Sequence, residues 1–275
     1  MTDGRALRLE GIEERYERYK EKIKNYTIMD DIFMRNVLKE QGCTEYMLQV
    51  IMNQKDLQVV EQTLQKDYKN LQGRSAILDC VARDERARQF NVEIQGDNEG
   101  ASPERARYHS CLLDMNILSP REPFTGLPET YIIFITRNDV LGYNRIICHI
   151  TRKVEEEGKD FGDGSHIIYV NSKKREDTEL GKLMHDLHCK ESGEMHSKIL
   201  ASRVRELKET EKGVSEMCRD MEEIYGEGME EGERKKARET VLSLAELKMS
   251  EEQISQIVKM PLEVVQGWIE ESLAI

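Results

Sequence analysis

Two acidic side chains flank a short polar turn. Asp79 lies in Ile77-Leu78-Asp79-Cys80-Val81, Glu93 lies in Glu93-Ile94-Gln95, and between them runs Asp84-Glu85-Arg86-Ala87-Arg88. Two carboxylates held together offer oxygen ligands to one hard cation. A turn centred on Arg86 places Asp79 directly opposite Glu93, at a Cβ separation of roughly 4.5–5.5 Å. Strand alternation sets Phe90, Val92 and Ile94 on an apolar face, with Asn91, Glu93 and Gln95 on a polar one. A slip of one residue would turn Asp79 to the wrong face. Polar strand faces are ordinary, so spacing alone also fits a solvated hairpin.

Other reactive residue types carry less. His185, His188 and Cys189, with His196 beyond, hold histidines at i and i+3, yet their spacing matches no structural zinc pattern. They read as helix-surface histidines and a buried thiol. His166 reads as a hydrogen-bonded packing residue on a strand, and Cys80 as an inert thiol on the core side of its strand. No G-x-x-x-x-G-K phosphate loop occurs, so a nucleotide cofactor is not expected.

The elements that must position the hairpin follow from periodicity. Residues 5–25 carry Leu9, Ile12, Tyr16, Tyr19 and Ile23 at helical spacing among charges, which predicts an amphipathic N-terminal helix within 1–26. From Thr27 to Asn53 one or two further helices are expected, with Thr27 and Asp30 as a capping box and Gly42 as a stop. The pattern turns to β at Leu57–Val59 and in the hairpin. Ser102 and Pro103 open a helix reaching about Asn116. Tyr131–Ile135 is a continuous apolar run, the mark of a central strand buried on both faces. Ile146–Ile150 and His166–Val170 add strands, the second after Gly162-Asp163-Gly164. The expectation is an α/β fold with a mixed sheet.

Charged helices follow from Glu179. A body over 27–200 gives way at 201–236 to a charged helical region with a hinge at Gly226, Gly228 and Gly232. The tail, 237–275, spells three short helices around a capping box at Ser250–Gln253 and a break at Met260-Pro261, the outline of a helix-turn-helix. Its last helix, Leu262–Glu271, carries Glu and no Lys or Arg, which favours protein contact or dimerisation over DNA reading.

Composition sets bounds. The 275 residues suffice for one sizeable domain plus an appendage, or for two small domains. A formal charge of −12, from 41 Lys and Arg against 53 Asp and Glu, argues against general nucleic-acid coating, so any nucleic acid must meet a local patch or a metal. The 6 cysteines form no C-x-x-C pair and read as reduced thiols. No apolar signal core follows Asp3, Arg5 and Arg8, and no long apolar run occurs, so a cytoplasmic protein without membrane contact is expected.

Several blocks together resemble one family. Leu78-Asp79 with Asp84, Phe90-Asn91-Val92-Glu93-Ile94-Gln95, Arg105-Ala106-Arg107-Tyr108, Ile133 through Val140, Asp163 through Asn171 and Leu180 through Asp186 occur in the order seen in PD-(D/E)XK nuclease family transposases, the Rpn-type recombination-promoting nucleases. The resemblance spans roughly 27–225. It implies a restriction-endonuclease-like core, a mixed central sheet flanked by helices, with a helical C-terminal tail. It further implies a metal-dependent DNA endonuclease associated with recombination or mobile elements. Asp79 and Glu93 would be Mg²⁺ ligands, Mn²⁺ substituting, with the backbone carbonyl of Ile94 as a third. Gln95 stands where the motif has Lys; it can orient water but brings no charge. Arg105 and Tyr108, three apart on one helix face, could touch the substrate phosphate, or form a surface salt bridge and a core-edge packing contact. A homodimer would let two hairpin sites cut both strands. The alternative is a catalytically idle nuclease-fold protein serving as a partner-binding or dimerisation module.

Overall fold

The computed structural model describes residues 11–68, 76–96 and 99–273. Three helices come first: α1 (Ile12–Asn25), α2 (Asp31–Leu38) and α3 (Gln41–Ile51). The start of the expected N-terminal helix, before residue 11, lies outside the described residues. Two local expectations are corrected here. Asp30, rather than Thr27, is the N-cap of α2, and its Oδ2 accepts both the Thr27 amide and hydroxyl, at 2.7 and 2.9 Å. Gly42 does not stop a helix but sits in the first turn of α3; the break falls at Lys39 and Glu40.

A six-stranded sheet follows, built from β1 (Val59–Tyr68), β2 (Ala76–Asp84), β3 (Gln89–Gln95), β4 (Thr130–Thr136), β5 (Ile147–Ile150) and β8 (Ser165–Asn171). The spatial order is β1-β2-β3-β4-β8-β5. β1–β2, β2–β3 and β8–β5 are antiparallel; β3–β4 and β4–β8 are parallel. The sheet is therefore mixed, as the apolar run in β4 requires. Every residue of β4 is buried, and Ile132, Ile133, Phe134 and Ile135 are fully so. Each such side chain contributes about 1.5–3 kcal/mol of burial free energy, so β4 is the rigid spine on which β3 is laid. Two short strands, β6 (Lys153–Val154) and β7 (Lys159–Asp160), form a separate hairpin on the way to β8. The turn into β8 uses Gly162 and Gly164 at φ 74° and 72°, which residues with a side chain adopt only at a cost.

Helix α4 (Pro103–Met115) connects β3 to β4, with Ser102 Oγ accepting the Arg105 amide at 3.2 Å. It covers one sheet face, where Ala106 and Leu113 pack with Ile132, Phe134 and Tyr169. On β1–β3, α2 and α3 pack together with α5 (Glu179–Asp186) and α6 (Lys198–Glu209) behind them. Thr44 on α3 reaches the Cys80 thiol at 3.9 Å, and burial pushes that thiol up to about 12. His166 stacks on Tyr131 with ring centroids 4.6 Å apart.

The expected glycine hinge is absent. α7 runs without interruption from Glu211 to Glu246, and Gly226, Gly228 and Gly232 are helical within it. Helix propensity is only about 1 kcal/mol lower for Gly than for Ala, so the strong helix formers around these glycines prevail. Two compact units divide near Cys218. In the second, α8 (Glu251–Val258) and α9 (Leu262–Leu273) fold with the end of α7 around Val241, Ile254, Val265 and Trp268. The Ser250–Gln253 capping box forms in both directions, at 3.2 and 3.4 Å, and Lys259 adopts a left-handed conformation at the α8–α9 turn. α9 carries Glu263, Glu270 and Glu271, and Glu271 pairs with Arg238 of α7 at 3.0 Å.

Candidate functional site

The β2–β3 turn fixes where the two carboxylates meet. Asp84 is buried, its Oδ1 accepts the amides of Arg86 and Arg88 at 3.0 and 2.9 Å, and its Oδ2 accepts Arg88 Nε at 2.7 Å. This clasp sets a register of Arg83 opposite Gln89, Ala82 opposite Phe90, Val81 opposite Asn91 and Cys80 opposite Val92. Continued by one pair, it sets Asp79 opposite Glu93, but the ladder itself ends at Cys80–Val92. In its place the Asp79 amide donates to Glu93 Oε1 at 3.2 Å, so the Glu93 side chain enters the gap between the strands.

The polar face of β3 is not solvated. Asn91 and Glu93 are fully buried, because α4 lies over them. Glu93 Oε1 accepts from Asn91 Nδ2 at 3.0 Å, and its Oε2 from Gln95 Nε2 and Arg105 Nη2, both at 3.4 Å. His109, one turn beyond Arg105, places Nδ1 at 3.6 Å from Glu93 Oε1, while its Nε2 accepts from Arg105 Nε at 3.3 Å. At that distance the buried Nδ1 makes no hydrogen bond to Glu93. Four donors from two strands and one helix thus converge on a single carboxylate.

Asp79 is treated in the opposite way. It is half-buried, and Gln65 Nε2 of β1 donates to its Oδ1 at 3.3 Å. Gln65 adopts φ 50° in mid-strand, an unfavourable conformation for a residue with a side chain. Burial, then the negative charge of Glu93, then Asp31 push the Asp79 carboxyl up to about 7, against the opposing pull of Gln65 and Arg35. Arg35 and Asp31 are themselves an ion pair on α2, at 2.6 Å. Crowded acidic groups of this kind could supply oxygen ligands to a divalent cation.

The backbone contributes a further oxygen. The Gln95 carbonyl accepts the Arg137 amide at 3.0 Å on the β4 side. Alternation along the strand therefore turns the Ile94 carbonyl to the β2 side, beyond the point where β2–β3 pairing ends. The Gln95 amide nitrogen donates to Glu93, and its oxygen lies over Gly100, where a Cβ would meet it.

Arg105 is drawn onto Glu93 instead of lying in a surface pair with another partner, and its side chain keeps 40% exposure. Tyr108 is half-buried on the same helix. Sequence reasoning missed His109, Gln65 and the Asp31–Arg35 pair. His109 could have been found, since it lies four residues after Arg105 on one helix face; Gln65 could not, because nothing local marks its strand.

Comparison with known proteins gives one finding. The family model described as PD-(D/E)XK nuclease family transposase matches residues 43–225, which hold the sheet, α4 and both carboxylates. No curated protein and no solved structure matches.

Proposed function

Because the chain belongs to the PD-(D/E)XK nuclease family transposases, whose nucleases generally use divalent metal ions, we propose that it is an endonuclease that hydrolyses DNA phosphodiester bonds with Mg²⁺ or Mn²⁺ held by Asp79, Glu93 and the Ile94 carbonyl. The observation that carries this reading is the opening of the ladder after Cys80–Val92, where the Glu93 carboxylate enters the gap and bonds the Asp79 amide. An all-oxygen set of this kind suits a small hard cation. When bound, such a cation would neutralise charge on the scissile phosphate and acidify an attacking water.

The chain's own groups have separable tasks. The Asp79 amide, Asn91, Gln95 and Arg105 hold Glu93 in one orientation, and a cation entering the gap would take the place of some of these donors. Gln95, in the place of the motif's Lys, orients water by hydrogen bonding. It supplies no positive charge; Arg105, in contact with Glu93 and still partly exposed, can offer its remaining N–H groups to a phosphate oxygen. Tyr108, half-buried nearly two turns beyond the Ser102 cap, is the second candidate for phosphate contact.

The competing reading is an idle nuclease fold that binds a partner, favoured by the Gln95 replacement and by Arg105 already occupying Glu93. Metal titration separates the two. Mn²⁺ or Mg²⁺ should raise the melting temperature of the wild-type chain by mass action, and should not do so in Asp79→Ala or Glu93→Ala. A wild-type chain that neither cation stabilises would favour the partner-binding role.

A further inference from the structure

A second group of ligand-type side chains lies away from the hairpin, where α5 ends and the chain turns into α6. His185 and Asp186 close α5, and the loop returns so that the His185 and His196 rings stand 4.8 Å apart. One donor atom from each of His185, Asp186 and His196 lies within 4.8 Å of the other two. We infer that these three side chains form a binding site for a transition-metal dication of the Zn²⁺ class, distinct from the hairpin centre.

The donor chemistry selects the class of ion. Two imidazole nitrogens and one carboxylate oxygen make the set of an open zinc site whose fourth position is left to water. Hard cations such as Mg²⁺ prefer oxygen alone. Solvent can reach the position, because His196 is exposed and His185 is 33% exposed.

Asp186 supplies an independent reason. It is fully buried, yet among the described residues the only side chain at ion-pair distance that can carry positive charge is His185, at 3.3 Å. Its other partners are the amides of His196 and Ser197, at 2.8 and 2.7 Å. A buried carboxylate held by neutral amides and one imidazole lacks a full counter-charge, which a dication would supply. Those amide bonds also orient the ligand oxygen and fix the backbone of His196, so two of the three ligands are set in place before any ion arrives.

Neighbouring groups are excluded by their contacts. His188 turns away to Ser172 Oγ at 2.9 Å. Cys189, whose Sγ packs 3.4 Å from His185 Nδ1, is not among the residues whose donor atoms converge. The sequence spacing hid the site because its anchor, Asp186, is an acidic residue between two histidines and matches no Cys/His pattern.

The test is a Zn²⁺ titration of the chelator-stripped full chain, in excess Mg²⁺, followed by stoichiometry and by the visible spectrum of the Co²⁺ form. Wild-type and Asp79→Ala chains should each bind a single equivalent, and His185→Ala and His196→Ala should bind none. His196 is exposed, so His196→Ala should melt within experimental error of wild type without metal, and His196→Gln provides a second variant of the same position. Absence of saturable Zn²⁺ binding in the wild type, its loss in Asp79→Ala, or its persistence in both histidine variants would overturn the assignment. The readout is metal content, so it stands or falls independently of nuclease activity.

Discussion

At the scale of single residues, Asp79 and Glu93 illustrate how one site divides labour by environment. Glu93 is enclosed and met by four donors, whereas Asp79 has one side-chain donor and is crowded by negative charge. The Asp79 carboxyl is raised from its usual range to about 7, so folding favours its neutral form. Its contribution to stability is therefore complete below the unfolded value and is lost as pH rises towards 7. Metal-free Asp79→Asn should melt above wild type at pH 8, by about 2 kcal/mol after solvent screening, and show no advantage at pH 4. Equal melting temperatures at pH 8 would remove the crowding argument. A cation must displace the same proton, so Mn²⁺ affinity should climb about tenfold per unit below pH 7 and level off above it, which calorimetry at several pH values would read. The acidic pair and its register were legible in the sequence because the turn and the apolar alternation fix them together. The burial of the polar face was not, since it depends on α4 folding over β3, and no local pattern announces that.

At the scale of elements, the β2–β3 hairpin depends on its turn. Asp84 and Arg88 form a buried ion pair, and Asp84 also caps two turn amides. Asp84→Ala would leave Arg88 buried without its partner, a loss of about 3–5 kcal/mol measurable by urea unfolding. If the register depends on this clasp, the same variant should lose metal-induced stabilisation even though Asp79 and Glu93 are intact. α5 provides a parallel case within the block Leu180–Asp186. A Cβ on Gly181 would collide with the backbone of Glu176, so Gly181→Ala should lower the melting temperature by several degrees, whereas an Ala at the open position Gly193 should leave it almost unchanged. Long apolar runs such as β4 and capped helices such as α4 were readable from their residues. β1 was readable only at its start, because Val59–Tyr68 alternates weakly, has eight exposed or half-exposed positions between its two buried ends and lies at the sheet edge. The glycine-rich stretch of α7 misled in the other direction: glycine permits a break but does not compel one.

At the scale of the whole molecule, the −12 charge limits how substrate can be held. An acidic surface cannot gather DNA from a distance, so on the proposed function binding would rest on a few local cations such as Arg105, with a bound cation supplying the rest. DNA affinity should then fall only shallowly with salt, with a log–log slope no steeper than about −4, and a much steeper slope would point to an extended basic track. Among the described residues no helix is long and apolar enough to cross a membrane. The second unit, from Arg219, has its own core around Trp268 and an acidic last helix, which suits contact with protein better than with phosphate. The most direct test of the central claim is cleavage of supercoiled plasmid by the purified chain with Mg²⁺, with Mn²⁺ and with EDTA, beside Asp79→Ala and Glu93→Ala. Nicking or linearisation that needs the cation and disappears in both variants is the predicted result. Cleavage that survives in both variants, or a wild-type chain inactive with either cation, would contradict the assignment of the hairpin as a nuclease centre.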